Sequence, residues 1–386
     1  MKSIYLDHTA TTPLDPRVFE AMKPFMLERY GNASSIHGFG REARAALDEN
    51  RDVIAKLLGA SAGEIFFVSG GTEADNTALK GVAAEMKRRG KTHIITSKTE
   101  HHAVLESCAF LESVGFSVTY VDSDSNGMIA SEAIQAAIRP ETGLVSIIHA
   151  NNEVGTINPI AEIGKMCKEA GIVFHSDAVQ SFAKIPLNVQ EIPVDLLSLS
   201  AHKIYGPKGI GAMYLRRGVK ADRFLHGGGQ ERGRRAGTEN VAGAVGFAKA
   251  ASLMMADRER EGGRLERLKK SLTDKLMKRF DCIVVNGHPV QSLPNIVNIS
   301  FDSSKISIDG EALLFNLDLA GIAVTSGSAC TSGSMEPSHV LLAMGRDAAT
   351  ARATIRFSMG RSTTEEDLVY TVDELEKIVK RIGKRR

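Results

Sequence analysis

The sequence has 386 residues and a formal net charge of +2, and 43% of its residues are hydrophobic. This composition is typical of an ordinary globular chain and gives no reason to expect a nucleic acid or a membrane surface as a partner. No apolar stretch reaches the ~20 residues of a membrane-spanning helix, and residues 1–15 lack the pattern of a signal peptide. The length favours two domains, because a single hydrophobic core stops growing at roughly 250–300 residues.

The four cysteines are too few for a disulfide framework in a chain of this length, and their spacing does not match a metal site. They are Cys108, Cys167, Cys282 and Cys330. We therefore predict a reducing, cytoplasmic location and no metal site.

The first part of the chain alternates short apolar runs with longer amphipathic stretches. The predicted strands are residues 65–68, 92–96, 117–121, 144–149, 172–175 and 196–198, with predicted helices at 72–88 and 102–114. Continuous runs of β-branched residues and leucine are typical of parallel strands that are buried on both faces. The alternation therefore predicts a doubly wound α/β domain.

The pattern changes after residue 238. It predicts a long helix at 239–280, strands at 282–285 and 296–301, and helices at 310–320 and 365–382. These elements favour a second, α+β unit, and we place the boundary at residue 258. The large domain then covers residues 16–258, and the small domain contains residues 259–386.

The strongest local motif is residues 198–209, Ser-Leu-Ser-Ala-His-Lys-Ile-Tyr-Gly-Pro-Lys-Gly. A predicted strand here delivers Lys203 to a turn with hydroxyl, imidazole and glycine neighbours. A lysine in this setting suits a Schiff base to an aldehyde cofactor next to a phosphate site. A surface lysine in a glycine turn explains the motif equally well when it is taken alone.

A second motif, His-Ser-Asp-Ala-Val-Gln at residues 175–180, follows another predicted strand. Asp177 at the carboxyl end of a strand points into the crevice where open α/β sheets bind ligands. A carboxylate there keeps a pyridine nitrogen protonated, and Gln180 is placed to donate to a phenolic oxygen. The alternative for Asp177 is a helix N-cap.

Three further motifs carry candidate functional residues. In Ser-Gly-Gly-Thr at residues 69–72, Gly71 and Thr72 open a helix whose free amides form an anion site, unless the turn is merely capped. His101 is placed to stack on a cofactor ring and move protons, with His102 as the competing choice and a surface histidine as the alternative. Arg356 suits a substrate carboxylate, with a structural ion pair as the alternative.

Cys330 lies in Thr-Ser-Gly-Ser-Ala-Cys-Thr-Ser-Gly-Ser at residues 325–334. This run of small and hydroxyl residues predicts an exposed, mobile loop that lets a thiolate approach a substrate. An incidental cysteine in a flexible serine-rich turn is the alternative. The other three cysteines lie in helical or apolar segments and are predicted to be inert.

Together these segments resemble the cysteine desulfurases of the iron–sulfur cluster group, which belong to the aminotransferase class V family of pyridoxal-phosphate enzymes. The resemblance extends from Tyr5 to Arg361 and also includes Asn-Asn-Glu-Val-Gly at residues 151–155. It implies the type I fold of pyridoxal-phosphate-dependent transferases. That fold has a large α/β domain with a mainly parallel seven-stranded sheet and a smaller α+β domain, which would include residues 1–15.

The resemblance also implies a role for each matching position. Lys203 would bind pyridoxal 5'-phosphate covalently, while Asp177 would pair with the ring nitrogen and Gln180 with the phenolic oxygen. His101 would stack on the ring and act as an acid–base group. Asn152 and Arg356 would bind the substrate carboxylate. The phosphate would be bound by Thr72, Ser200 and His202 of the same chain and by Thr238 of the partner subunit.

The activity implied by the resemblance is removal of sulfur from L-cysteine, which gives L-alanine and a persulfide on Cys330. The implied partners are a second copy of the chain, forming a homodimer, and either an iron–sulfur scaffold protein or another sulfur acceptor. Whether Cys330 also serves as a transient iron–sulfur ligand stays open. The alternatives are a selenocysteine lyase, a class V aminotransferase, which has no need of a thiol at Cys330, and a non-catalytic assembly factor.

Overall fold

The structure is a computed structural model that describes residues 3–327 and 336–385. Its α-helices are α1 (Pro16–Leu27), α2 (Gly38–Leu58), α3 (Gly71–Arg88), α4 (His102–Ser113), α5 (Ser131–Ala137), α6 (Ile160–Glu169), α7 (Val241–Arg279), α8 (Gly310–Leu319), α9 (His339–Ala343), α10 (Ala348–Arg352) and α11 (Glu365–Ile382). Its strands are β1 (Ile4–Tyr5), β2 (Ile65–Val68), β3 (His93–Ser97), β4 (Ser117–Val121), β5 (Thr142–Ser146), β6 (Val173–Asp177), β7 (Leu196–Ser200), β8 (Gly211–Leu215), β9 (Ile283–Asn286), β10 (Ile296–Phe301), β11 (Ile306–Ser307), β12 (Ile322–Ala323), β13 (Thr354–Ser358) and β14 (Lys384–Arg385).

The large sheet has seven strands in the order β2-β8-β7-β6-β5-β3-β4. Pairing is parallel from β7 through β6, β5 and β3 to β4, whereas β8 runs antiparallel to both β7 and β2. Every residue of β5, β7 and β8 is buried, as expected for strands that are covered on both faces. The prediction of an α/β fold with a mainly parallel sheet is confirmed.

Helices cover both faces of this sheet. Successive side chains of a strand point to opposite faces, so the neighbours Phe66 and Phe67 of β2 join different hydrophobic clusters. The cluster with Phe67 includes α1, α2, α6 and the first half of α7, and the cluster with Phe66 includes α3 and α4. The parallel strands all run in the same direction, so their carboxyl ends meet at one edge of the sheet. Ligands of open α/β sheets bind at this edge.

A further hydrophobic cluster surrounds the antiparallel sheet β13-β10-β9 and includes α8 and α11. The second half of α7 contributes leucines every three or four residues, which places them on one face of the helix: Leu265, Leu268, Leu272 and Leu276. β1 joins the same cluster through Ile4 and pairs in parallel with β12. The division of the chain into domains at residue 258 stays a prediction.

Five helices and strands of the large half were not among the predicted ones: α1, α2, α5, α6 and β8. The sequence of β8, Gly-Ala-Met-Tyr-Leu, contains two residues that are depleted in strands, so its position between β2 and β7 is set by tertiary pairing. Over the ranges that the structure describes, each helix is too short or too polar to cross a bilayer.

Candidate active site

A cavity of about 430 Å³ lies at the carboxyl edge of the parallel strands. It brings together most of the residues that the sequence singled out: Gly71, Thr72, His101, Asn152, Asp177, Gln180, Ser200, His202, Lys203 and Arg356. A larger cavity of about 770 Å³ lies between α7 and β9 and contains none of these residues. Size alone therefore does not identify the site, whereas the grouping of charged and hydroxyl side chains does.

Lys203 ends a short 3₁₀ turn that follows β7 and places its amine in the cavity. Its Nζ donates to the backbone oxygens of Thr9 (2.6 Å) and Ala10 (2.7 Å). Burial, with a smaller contribution from Arg356, lowers the pKa of Lys203 to about 8. A lysine with a lowered pKa reaches its neutral, nucleophilic form near neutral pH, which formation of a Schiff base requires.

Asp177 ends β6, and its Oδ1 accepts a hydrogen bond from the backbone N–H of Val179 (2.8 Å). No helix follows this residue, so the N-cap alternative does not apply. Burial raises the pKa of the Asp177 carboxyl to about 6. A buried carboxylate of this kind gains stability from a cation, and a protonated pyridine ring supplies one.

The start of α3 and the end of β7 form one wall of the cavity with the properties of an anion site. A Cβ on Gly71 would lie 2.6 Å from Cγ2 of Val179, so no larger residue fits at this helix start without a shift. The buried Ser200 hydroxyl has no hydrogen-bond partner among the described residues. Free amides at a helix start and an unpartnered hydroxyl fit a phosphate group.

His101 and His202 present neutral imidazoles to the same cavity. His101 is the N-cap of α4, and its Nδ1 accepts from the N–H of Ala103 (3.1 Å), so its proton is on Nε2. One side of the His101 ring is exposed to the cavity and the other side is buried. This burial is the main cause that lowers the pKa of His101 to about 4. His102 does not line the cavity and packs on His339 instead, which favours His101 as the functional histidine.

Arg356 lies in β13 and reaches the cavity from the antiparallel sheet. One Nη donates to the backbone oxygen of Asn152 and the other to Oδ1 of Asp7, each at 2.9 Å. The structural ion pair that was the alternative for Arg356 is therefore present. Its buried Nε has no partner among the described residues, so a donor is left over for a carboxylate.

Thr238 lies outside this cavity and lines a separate one of about 130 Å³. It ends the glycine-rich loop at residues 227–238, which a buried ion pair between Arg51 and Glu231 (2.6 Å) holds against β2. Thr238 is thus not among the residues that line the cavity with the phosphate wall of its own chain. A contribution to a partner's site stays a prediction.

Cys330 lies outside the described residues. Gly327, the last residue described before it, lines the cavity together with Thr325. The residues that sequence reasoning missed are Thr9 and Ala10, whose carbonyls hold Lys203, and Lys184, which donates to Gln180. The resemblance that begins at Tyr5 covers Thr9 and Ala10, whereas no local pattern marks Lys184.

The aminotransferase class-V family profile matches residues 4–370. The chain is 51% identical over 381 residues to the cysteine desulfurase IscS of Dictyoglomus turgidum, which covers 99% of this chain and 95% of that protein. It is 48% identical over 381 residues to the cysteine desulfurase IscS of Methanosarcina thermophila, with 99% and 93% covered.

Two solved structures are similar over nearly the whole chain. A NifS-like protein is 40% identical with a TM-score of 0.91 and covers 99% of this chain and 100% of its own. A structure described as SspA in complex with cysteine is 38% identical with a TM-score of 0.81 and covers 92% and 99%. The chain belongs to the aminotransferase class-V family, whose cofactor is pyridoxal 5'-phosphate, as predicted from the sequence.

Proposed function

We propose that the chain is a pyridoxal-phosphate-dependent cysteine desulfurase, which converts L-cysteine to L-alanine and carries the sulfur as a persulfide on Cys330. The observation that carries this proposal is the single cavity that combines Lys203, Asp177 and an anion wall, in a chain 51% identical to a protein named cysteine desulfurase. The residues present fit the cofactor, because its aldehyde, ring nitrogen, phenolic oxygen and phosphate would each meet a group of matching charge or hydrogen bonding.

Each group of the cavity has one task towards the cofactor. When bound, pyridoxal phosphate supplies an aldehyde that links to amines and a ring that stabilises negative charge on the neighbouring carbon. The Lys203 amine would hold the aldehyde, and the Asp177 carboxylate would hold the proton on the ring nitrogen. The phosphate would be bound at Thr72, Ser200 and His202.

Two residues would bind the substrate, and Lys203 and a histidine would move its protons. Arg356 and Asn152 would bind the carboxylate of cysteine, because the guanidinium offers donors in a planar fork. Lys203, freed by the incoming amino group, would take the proton from the α-carbon. The neutral ring of His101 would stack on the cofactor and pass protons.

Sulfur transfer uses the thiolate of Cys330. Its sulfur attacks the sulfur of the substrate, so that an S–S bond forms and the C–S bond breaks with its electron pair on carbon. One proton then completes the methyl group of alanine, and Lys203 would return a second proton to the α-carbon. Gly327 lines the cavity three positions before Cys330, and three residues span at most about 11 Å. A segment of this length would allow the Cys330 thiol to reach the substrate.

A homodimer with composite sites completes the proposal. The glycine-rich loop would bring Thr238 to the phosphate of a second copy, since Thr238 does not line its own chain's cavity. The persulfide would be passed to an acceptor thiol, on an iron–sulfur scaffold protein or another sulfur acceptor, by exchange at sulfur.

The test is a product assay. The purified protein, with pyridoxal phosphate, L-cysteine and a reductant, should release alanine and sulfide in equal amounts. Cys330→Ala should abolish sulfide release and keep the visible absorbance of the bound cofactor. Cys108→Ala is the matched control, because that buried thiol lies in α4 and its pKa is raised to about 12. Full sulfide release by Cys330→Ala would refute the role of this cysteine.

A further inference from the structure

A second, smaller cavity lies on the other side of Lys203. We call it the rear cavity and define it by six of the polar residues that line it: His8, Thr12, Lys184, Lys203, Tyr205 and Asn295. Its volume is about 30 Å³, which exceeds the minimum of ~10–15 Å³ that a cavity needs to hold one water molecule. α7 closes the far wall with two further charged groups, Arg258 and Glu261.

Two residues that line this cavity each have a buried acceptor without a hydrogen-bond partner within the described ranges: Nε2 of His8 and Oδ1 of Asn295. His8 is 2% exposed and Asn295 is 4% exposed, so bulk water does not satisfy them. Nδ1 of His8 lies 3.0 Å from the backbone oxygen of Ser358, which only accepts, so Nδ1 has the proton and Nε2 a lone pair. Buried acceptors without a donor are rare, and an ordered water is the usual remedy.

Lys184 supplies the positive side of the rear cavity. Its Nζ donates to Oε1 of Gln180 (3.0 Å). Burial, with a smaller contribution from Lys203, lowers the pKa of Lys184 to about 7, and below that pH the ammonium form has three N–H groups, so donors are left for a second partner. The residue before it, Ala183, has φ of 60°, and Tyr205 on the same cavity has φ of 65°. Left-handed backbone is unusual for residues other than glycine and is concentrated at functional sites.

The identity of the ligand follows from this arrangement. A cation is excluded because Lys184 and Lys203 both line the rear cavity, and an anion cannot donate to the lone pairs of His8 and Asn295. Water has two donors and two acceptor positions, which match two acceptors and one ammonium. We propose that the rear cavity binds one ordered water molecule, which donates to His8 and Asn295 and accepts from Lys184.

This water has a consequence for the cofactor, which rests on the proposed function. Because Lys184 only donates, Gln180 must turn its Oε1 towards Lys184, and its amide nitrogen then donates to the backbone oxygen of Thr9 (2.9 Å). The second hydrogen on that nitrogen is left for the phenolic oxygen of the cofactor. Lys184 and the Thr9 carbonyl, which only accepts, together fix which way the Gln180 amide faces, and Lys184 is in this sense a positioning residue that the water holds in place.

The water itself is tested by a crystal structure of the holoenzyme. A single water peak is expected within ~3.2 Å of both His8 Nε2 and Asn295 Oδ1. Asn295→Leu and His8→Phe each remove one acceptor and should abolish the peak, so one of the two suffices if the other fails to fold. An empty rear cavity, or a direct bond from Lys184 to both acceptors, would overturn the proposal.

The link to Gln180 is tested by spectroscopy. In Lys184→Met the pH midpoint of the visible absorbance of the bound cofactor should shift by about one pH unit, a tenfold change in proton affinity. Lys269→Met is the matched control, because Lys269 is also enclosed, with its pKa lowered to about 8, but contacts Ser292 and Leu293 instead. An unchanged midpoint in Lys184→Met would refute the positioning role.

These measurements separate the two proposals. If the water and the spectral shift are found but cysteine yields no sulfide, the rear cavity stands and the proposed activity fails. If sulfide is produced and the water is missing, the opposite holds.

Discussion

Lys203 and Asp177 line one cavity. Burial lowers the pKa of Lys203 to about 8 and raises the pKa of Asp177 to about 6. Both side chains stay ionisable near neutral pH, which suits a lysine that must lose a proton and a carboxylate that must hold one on a neighbouring ring. Neither value is visible in the sequence, because each depends on how much protein surrounds the group.

The raised pKa of Asp177 predicts a stability effect in the cofactor-free protein. A carboxyl whose pKa is higher in the folded chain than its ordinary value of 3.8 favours folding below that value and loses this contribution as the pH rises through about 6. Asp177→Asn removes the charge, so at pH 7 the cofactor-free variant should be more stable, by at most about 3 kcal/mol. The check is thermal unfolding at pH 4 and pH 7.

The same substitution should have the opposite effect once the cofactor is added. Without the carboxylate the ring nitrogen is no longer held in its protonated form, so Asp177→Asn should lose most of its activity. A cofactor-free variant that is no more stable than the parent at pH 7 would show that Asp177 is not strained by burial.

At the scale of elements, the anion wall depends on the close contact between the start of α3 and the segment after β6. Gly71→Ala should clash with Val179, where the added Cβ would lie 2.6 Å from Cγ2. We expect the cofactor to bind at least tenfold more weakly, since the phosphate wall must shift. Equilibrium dialysis of pyridoxal phosphate measures this.

A second substitution in the same contact, at Val179, provides the control for that prediction. Val179→Ala removes the opposing methyl groups, so Gly71→Ala combined with Val179→Ala should regain most of the lost affinity. If the double variant binds as poorly as Gly71→Ala alone, the glycine is needed for another reason.

The glycine-rich loop is held by a fully buried ion pair, next to a less buried one between Arg235 and Glu73 (2.9 Å). Arg51 and Glu231 are 1% and 3% exposed, and Glu231 also accepts from the backbone N–H of Phe67 while its own φ is 46°. Arg51→Met leaves the Glu231 charge unpaired, so unfolding should become easier by roughly 3–5 kcal/mol. Denaturant unfolding checks this, and adding Glu231→Gln should recover a large part of the loss.

At the scale of the whole molecule, Thr238 and Lys203 line different cavities of one chain. If two copies share their sites, a mixed dimer of Lys203→Ala and Thr238→Val chains should contain one intact site, although each parent dimer contains none. We expect roughly one tightly bound cofactor per mixed dimer. Tagged co-purification followed by cofactor absorbance measures it, and no gain over the parent proteins would place Thr238 outside any shared site.

Local patterns in the sequence were sufficient for the elements with continuous apolar runs and for the motifs at strand ends. The helices at 310–320 and 365–382 and most strands of the large sheet lie close to where they were predicted, because hydrophobic periodicity is a local property. The lysine, the aspartate and the glycine turn were found because their chemistry depends on residue type and on position after a strand.

Tertiary structure alone decided the rest. The antiparallel insertion of β8, the pairing of β1 with β12 and the packing of one helix, α7, into two cores join residues far apart in the chain. The hydrogen bond from Lys203 to the Thr9 carbonyl also joins residues far apart in the chain. The same is true of the rear cavity, which brings His8 next to Lys184. Burial and long-range contact set the charges and orientations of these groups, and neither quantity is encoded in any short segment.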